Sequence, residues 1–258
     1  MSATTRVLEY NARVYRQTWR GGLTTTFLSP VLYLAAMGFG VGRFVDAAGT
    51  AEEVLGGVPY AVWLAPGLMA AQAMQVGAFA VTYTIMGRIR WNRVYQGMLA
   101  TPVSIPGIVL GELGWVGARL VLASTVFLAV MAAFGLTGSP TAVLAIPAAV
   151  VTGLAFAAPI IAFTATQRND QGFNAIFRFG ITPLFIFSGT FFPIEQLPEA
   201  LRAIAYLTPL WHGVDLIRSL VLGTAQPGLV AIHLLFLAAF GLAGTAAAFV
   251  TFRRALER

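Results

Sequence analysis

Read from its first residue, the chain alternates apolar runs with short polar segments. Residues 1–22 form a polar arm carrying Arg6, Arg13, Arg16 and Arg20. Apolar runs then cover about 23–42, 60–86, 106–135, 141–166, 174–192 and 228–251. Each is close to or beyond the roughly 20 residues that a helix needs to cross a hydrocarbon core of about 30 Å. The pattern predicts an all-α polytopic membrane protein with six transmembrane helices, forming one domain over residues 1–258. Repeats, linkers and low-complexity segments do not interrupt it, and no cleavable signal is read at the start.

Composition narrows the picture. The 258 residues are 58% hydrophobic and 10% charged, against roughly 45–50% apolar and 25% charged for soluble domains. The mean hydropathy of +0.78 agrees. Without cysteine, disulfide frameworks, thiolate metal sites and thiol nucleophiles are excluded. All 16 basic residues are Arg, so the phosphate-binding Lys of a P-loop is missing. A net charge of +6 could indicate nucleic acid, but these Arg residues form no continuous soluble patch, and no nucleic-acid partner is expected.

Their placement speaks instead for sidedness. With the N-terminus in the cytoplasm, that side holds Arg6, Arg13, Arg16, Arg20, Arg88, Arg90, Arg93, Arg168, Arg178, Arg253, Arg254 and Arg258. The other side holds Arg43, Arg202 and Arg218, together with Asp46, Glu52, Glu53, Glu195, Glu199 and Asp215. This asymmetry follows the positive-inside rule and places both termini in the cytoplasm.

Four segments stand out. In the arm, Leu8, Tyr15 and Trp19 share a helical face with Val7 and Val14 beside them, the pattern of an amphipathic interfacial helix. It reads as a simple anchor or as a lever for a cytoplasmic partner. In the loop 88–104, Trp91, Val94, Tyr95, Met98 and Leu99 recur at helical spacing beside Arg88, Arg90 and Arg93. A topology-setting cluster explains the charge, whereas the aromatic and Met content also suits a partner's groove.

The third run contains Glu112 and Arg119, seven residues apart on nearly one face. Ionisable groups are costly in hydrocarbon and turn toward protein or water. They read equally as a structural ion pair and as a polar joint in a path. Gly111, Gly114 and Gly117 thin that helix for a close neighbour, and Gly38 and Gly42 offer a GxxxG face in the first run. His233 reads as a packed neutral side chain. The last segment, about 193–227, is divided by Pro193, Pro198 and Pro209 into short helices, either a re-entrant hairpin or a loop cap.

Together these segments resemble the permease subunits of type-2 ABC exporters, in particular the lipo-oligosaccharide (nodulation-factor) and drug-efflux branch. The resemblance rests on Phe27-Leu-Ser-Pro30, Leu64-Ala-Pro-Gly67, and Tyr95-Gln-Gly-Met-Leu-Ala-Thr-Pro102 leading to Gly111-Glu112. It rests also on Phe187-Ser-Gly-Thr-Phe-Phe-Pro-Ile-Glu-Gln-Leu-Pro198 and Leu207-Thr-Pro-Leu-Trp-His-Gly-Val-Asp-Leu-Ile-Arg218. It implies a non-enzymatic subunit of the bacterial inner membrane that pairs with a second or sister permease and with two cytoplasmic ABC ATPases. ATP and Mg would sit on those partners, and the permease itself would hold no cofactor or metal. The 88–104 segment then looks like a coupling helix, the arm like a connecting helix, and Glu112 like the family's acidic position beyond it. The first and fifth spans would line the dimer interface and path, with an outer hairpin as cap.

The cargo implied is an amphiphile, such as a lipid, a lipid-linked glycan or a hydrophobic drug. Candidate path residues are Arg119, Phe187, Phe191 and Phe192, although a Phe-rich face also suits packing or lipid contact. The alternative class is an intramembrane enzyme acting on a lipid, against which stands the lack of an Asp-rich diphosphate or HExxH motif.

Overall fold

The computed structural model describes residues 2–49 and 54–257, and for residues 18–27, 29 and 39 it describes the backbone. The side chains of Trp19, Arg20 and Phe27, and the residues Glu52, Glu53 and Arg258, lie outside the described residues. Among those described, the structure contains helices and no strands. Four stretches are long and apolar enough to cross a membrane: Tyr60–Trp91, Ile105–Ala133, Pro140–Thr166 and Pro227–Leu256. They coincide with the second, third, fourth and sixth apolar runs.

The first run lies within a longer helical rod. Helix α1 (Ala3–Tyr33) passes into a π-helical stretch, Leu34–Val41, and then into α2 (Gly42–Ala47). Helix α3 (Tyr60–Ala80) is followed by α4 (Tyr83–Met86), which widens into a π-turn at Gly87–Trp91, and by the short α5 (Val94–Leu99). Helix α6 (Ile105–Ala133) starts at Ser104, whose hydroxyl accepts from the Gly107 N–H at 3.3 Å, an ordinary N-cap. Helix α7 (Ala145–Thr166) follows a 3-10 turn at Pro140–Leu144. The fifth apolar run falls on α8 (Gln171–Ile176), a π stretch (Phe177–Ile181) and α9 (Thr182–Phe187).

The prolines of the outer segment act as starters. Pro193 precedes a 3-10 turn at Ile194–Gln196, Pro198 caps α10 (Glu199–Tyr206), and Pro209 opens α11 (Pro209–Leu222). Proline's fixed φ and missing N–H cost nothing at such positions. Thr208 caps α11 by accepting from the Trp211 N–H at 3.3 Å, and Gly223, at φ 75°, ends it. Helix α12 (Pro227–Leu256) completes the chain.

Helix α7 is the hub, packed by α3, α6, α11 and α12. Small residues let the backbones meet, as expected where lipid removes the hydrophobic drive between helices. A Cβ on Gly77 of α3 would strike the Gly153 carbonyl of α7, and one on Gly244 of α12 would strike Pro159. Gly213 of α11 sits equally close to Thr152. Thus α11 is no surface cap. Leu210, Val214, Leu216, Ile217 and Val221 are buried in the bundle, while Ile204 and Leu207 of the α10 region remain exposed.

The arm is not a separate surface helix, because α1 runs unbroken past residue 22. Its apolar face meets α6: Ala3, Val7 and Leu8 seat against Gly107, Gly111 and Gly114. Tyr15 packs edge-on against Trp115 at 5.5 Å between centroids. The glycines create this groove, so protein takes the place that periodicity assigned to headgroups. Gly38 faces Ala61, and Gly42 faces Tyr60 and Ala61, so the GxxxG face meets the start of α3.

The Gly77–Gly153 contact leaves no room for a side chain. Gly77→Val should lower the thermal stability of the purified permease by at least ~1–3 kcal/mol or abolish a monodisperse elution peak. Gly97→Val, at a position with nothing within 4 Å, should leave both readouts near wild type.

Candidate functional site

The bundle has two chemically distinct ends. One gathers the arm, the 87–104 segment, the α7–α8 turn and the end of α12, and its centre is a buried ion pair. Arg88 Nη1 donates to Glu112 Oε1 at 2.5 Å, with side chains 11% and 4% exposed. Asn11 Nδ2 donates to the same oxygen at 3.3 Å, and the Arg88 guanidinium lies 5.3 Å from the Tyr10 ring centroid. Three elements (the arm, the end of the second apolar helix and α6) therefore share one charge pair.

This corrects the expected association of Glu112 with Arg119. Arg119 makes no ion pair with Glu112. It lies on an exposed face of α6 beside Tyr15 of the arm. Seven-residue spacing aligns the two Cα positions, but Arg88 reaches the carboxylate from a neighbouring helix and takes it first.

The expected continuous helix over 88–104 is also broken. The π-turn ends at Trp91, Arg93 takes a left-handed φ of 48°, and α5 starts afresh at Val94. A non-Gly residue in that region is uncommon and costs of order 1 kcal/mol. Gln96 Nε2 donates to the Ile89 carbonyl at 3.0 Å and closes the elbow. The elbow sorts the candidates: Trp91 is 63% exposed, Arg90 and Arg93 are exposed, and Val94, Met98 and Leu99 are partly buried. Tyr95, expected to face a partner, is wholly buried, with its ring 5.7 Å from Phe252 of α12. Burial, then the nearby Glu112 carboxylate, pushes its hydroxyl well above the usual phenol range.

The other end centres on Arg218 of α11. Its guanidinium lies 3.7 Å from the Trp63 ring centroid. Arg218 Nε donates to the Trp63 carbonyl at 3.1 Å, and Nη2 donates to the Gly189 carbonyl at 2.8 Å. Burial brings it down to about 10, so it stays charged near neutral pH. Tyr60 donates to the Phe191 carbonyl at 2.9 Å, so the 188–192 turn hangs from α3 and α11. Of the candidate path residues, Phe187 is 41% exposed and Phe192 is partly buried. Phe191 packs edge-on against Phe185 at 4.9 Å, inside this chain.

His233, which reads in sequence as a lone packed side chain, has a partner. Its Nδ1 lies 2.8 Å from Nδ1 of His212, and its Nε2 lies 3.0 Å from Asp215 Oδ2. Two facing ring nitrogens must divide donor and acceptor roles between them. The chain Asp215–His233–His212 joins α11 to α12, and the His233 hydrogen bond holds the Asp215 carboxyl below its ordinary range.

Residues 4–222 match the family described as ABC-2 type transporter. The chain belongs to that family. Nodulation protein J of Rhizobium leguminosarum bv. trifolii is 36% identical over 194 residues, covering 75% of this chain and 71% of the relative. Nodulation protein J of Bradyrhizobium diazoefficiens (strain JCM 10833 / BCRC 13528 / IAM 13628 / NBRC 14792 / USDA 110) is 31% identical over 254 residues, 98% of this chain and 94% of the relative. That of Sinorhizobium fredii (strain NBRC 101917 / NGR234) is 32% identical over 213 residues, 83% and 78%. This ABC-2 type permease is thus a multi-pass inner-membrane protein, and its kind is a transport subunit rather than a catalytic one.

Periodicity finds the apolar face of this permease's 88–104 segment, but not the Arg88–Glu112 pair or the His212–His233 contact, which cross between helices. The only sequence signal for the first is that a carboxylate inside an apolar run needs a cation. Truncating it leaves that cation buried: Glu112→Ala should cost about 3–5 kcal/mol of unfolding free energy. Chemical unfolding of the purified protein measures it, and Arg88→Met/Glu112→Leu together should cost far less.

The outer chain generates a pH dependence. Burial first, then His233 opposite, brings His212 down to about 4 from 6.5. Between those values the unfolded chain binds a proton that the folded ring refuses, so stability rises with pH there. It is complete above about 6.5 and is lost as pH falls toward 4; Asp215, also depressed, loses its share further down in acid. Thermal unfolding should therefore show wild type weakened between about pH 7.5 and 5 more than His212→Gln.

Proposed function

We propose that this chain is the membrane subunit of an ATP-driven exporter, powered by two separate ABC ATPase subunits that carry ATP and Mg. The observation that supports this best is the basic elbow around the exposed Trp91, set on the same end as both chain termini and joined through Arg88–Glu112 to α6. A partner pushing on Trp91, Arg90 and Arg93 would push on that pair. Val94, Met98 and Leu99 back the elbow, and Tyr95 anchors it to α12. ATP binding must favour one arrangement of the elbow over another for the motion to be driven.

In this reading the chain forms six spans within one membrane domain, with both termini on the ATPase side. The two additional spans are the rod from α1 to α2 and the α8–α9 segment. Exposed Leu28, Leu32, Phe44, Phe179 and Phe187 would face a second permease copy or a sister permease. Phe187, Phe192 and Arg119 would border the path, and the α10–α11 hairpin would close it outside. The cargo would be an amphiphile of the lipo-oligosaccharide kind, a class suggested by the Nodulation protein J relatives.

Two measurements test this. Permease purified alone should hydrolyse no ATP, and an ABC ATPase should co-purify with it from its own host. Trp91→Ala should reduce cargo-stimulated ATPase activity and export by about tenfold, in line with loss of an aromatic interface anchor, without lowering thermal stability. Unchanged coupling in Trp91→Ala and in Arg90→Ala/Arg93→Ala would remove the elbow from the power stroke.

A further inference from the structure

Beside the elbow, but distinct from its Trp91 surface, a cavity of about 360 Å³ is lined by Arg90, Ala165, Thr166, Arg168, Thr251, Arg254 and Ala255. Three guanidiniums from three separate elements converge on it. None forms an ion pair among the described residues, whose pairs are Arg13–Glu9, Arg88–Glu112, His233–Asp215 and Arg253–Glu257. Arg90 is fixed at one edge, its Nε donating to the Gln167 carbonyl at 3.2 Å, which leaves its terminal nitrogens available. Three like charges around one cavity repel one another, so an anion between them removes a cost as well as adding contacts.

We propose that this cavity binds the phosphate group of an anionic lipid from the leaflet on the coupling side. The three arginines stand at the ends of three helical stretches long enough to cross a membrane, Tyr60–Trp91, Pro140–Thr166 and Pro227–Leu256. That is the depth of the headgroup phosphates, where basic pockets between helices hold acidic lipids. Planar guanidiniums suit phosphate oxygens in paired hydrogen bonds. Ala165 and Ala255 leave an apolar wall for the glycerol and upper acyl carbons. Because the cavity spans the elbow, the α7–α8 turn and the end of α12, a bound lipid clamps those three elements together.

The test uses delipidated full-length permease and native mass spectrometry, with phosphatidylglycerol, phosphatidylcholine and inorganic phosphate as probes. Phosphatidylglycerol should be retained in preference to phosphatidylcholine. Its retention should weaken about tenfold or more in Arg90→Gln/Arg168→Gln/Arg254→Gln. Arg13→Gln/Arg16→Gln/Arg253→Gln, which removes the same charge from other exposed positions, should keep it. Should the first triple variant unfold, the single Arg168→Gln, in the exposed α7–α8 turn, should still weaken retention measurably. Displacement of the lipid by inorganic phosphate at equal concentration would overturn the lipid assignment in favour of a soluble phosphate. Equal lipid retention in the two triples would overturn the site altogether, and loss of the ATPase subunit from the first triple alone would then mark the cavity as a protein contact.

Discussion

The Arg88–Glu112 pair is the constraint on which the coupling end depends. A carboxylate within an apolar helix is tolerated when a cation and further donors satisfy it, and here the cation comes from the loop that a power source would move. Asn11 adds the arm to the same oxygen, and Tyr10 lies by the Arg88 guanidinium. Since leaving either charge alone is costly, the elbow, the arm and α6 are bound to shift together or to exchange one satisfied arrangement for another. The glycine-lined groove of α6 serves the same end, because Val7 seated at Gly111 places Asn11 within reach of Glu112.

The outer half solves a different problem. A turn at 188–192 exposes carbonyls that no helix satisfies, and Arg218, Tyr60 and the Trp63 ring meet that need. Helix α11 delivers Arg218 because its own apolar side is buried against α7 through Gly213. The same helix carries His212 and Asp215 to His233, so its seat against α12 is polar as well as packed. The outer hairpin is therefore part of the bundle's core.

Much of this fold is legible in the sequence, because apolar length and arginine asymmetry report on solvent and need no tertiary information. The four long helices, the proline-started outer segments and the grouping of basic segments at one end follow from such local signals. The site was less legible. Periodicity placed Tyr95 on a partner-facing side because it assumed one helix through 88–104, whereas the left-handed Arg93 turns Tyr95 inward. Spacing tied Glu112 to Arg119 because it sees one helix at a time. His212 and His233 gave no sign of each other, since hydrogen bonds between helices leave no periodic trace. In each case the deciding contact comes from a neighbouring element.

The three π-helical segments, Leu34–Val41, Gly87–Trp91 and Phe177–Ile181, carry a consequence for motion. Each lies outside the glycine-locked helices around α7, on the rod, at the elbow and in the loosely held α8–α9 segment. A π-turn holds one residue more than an α-turn, so it is wound-in slack. Releasing that residue would screw the chain beyond it by about 100° and advance it by about 1.5 Å. At Gly87–Trp91 this would swing the indole around the bundle's lower rim while the central packing stays still. The protein thus contains a ratchet tooth, able to turn a local rewinding into rotation.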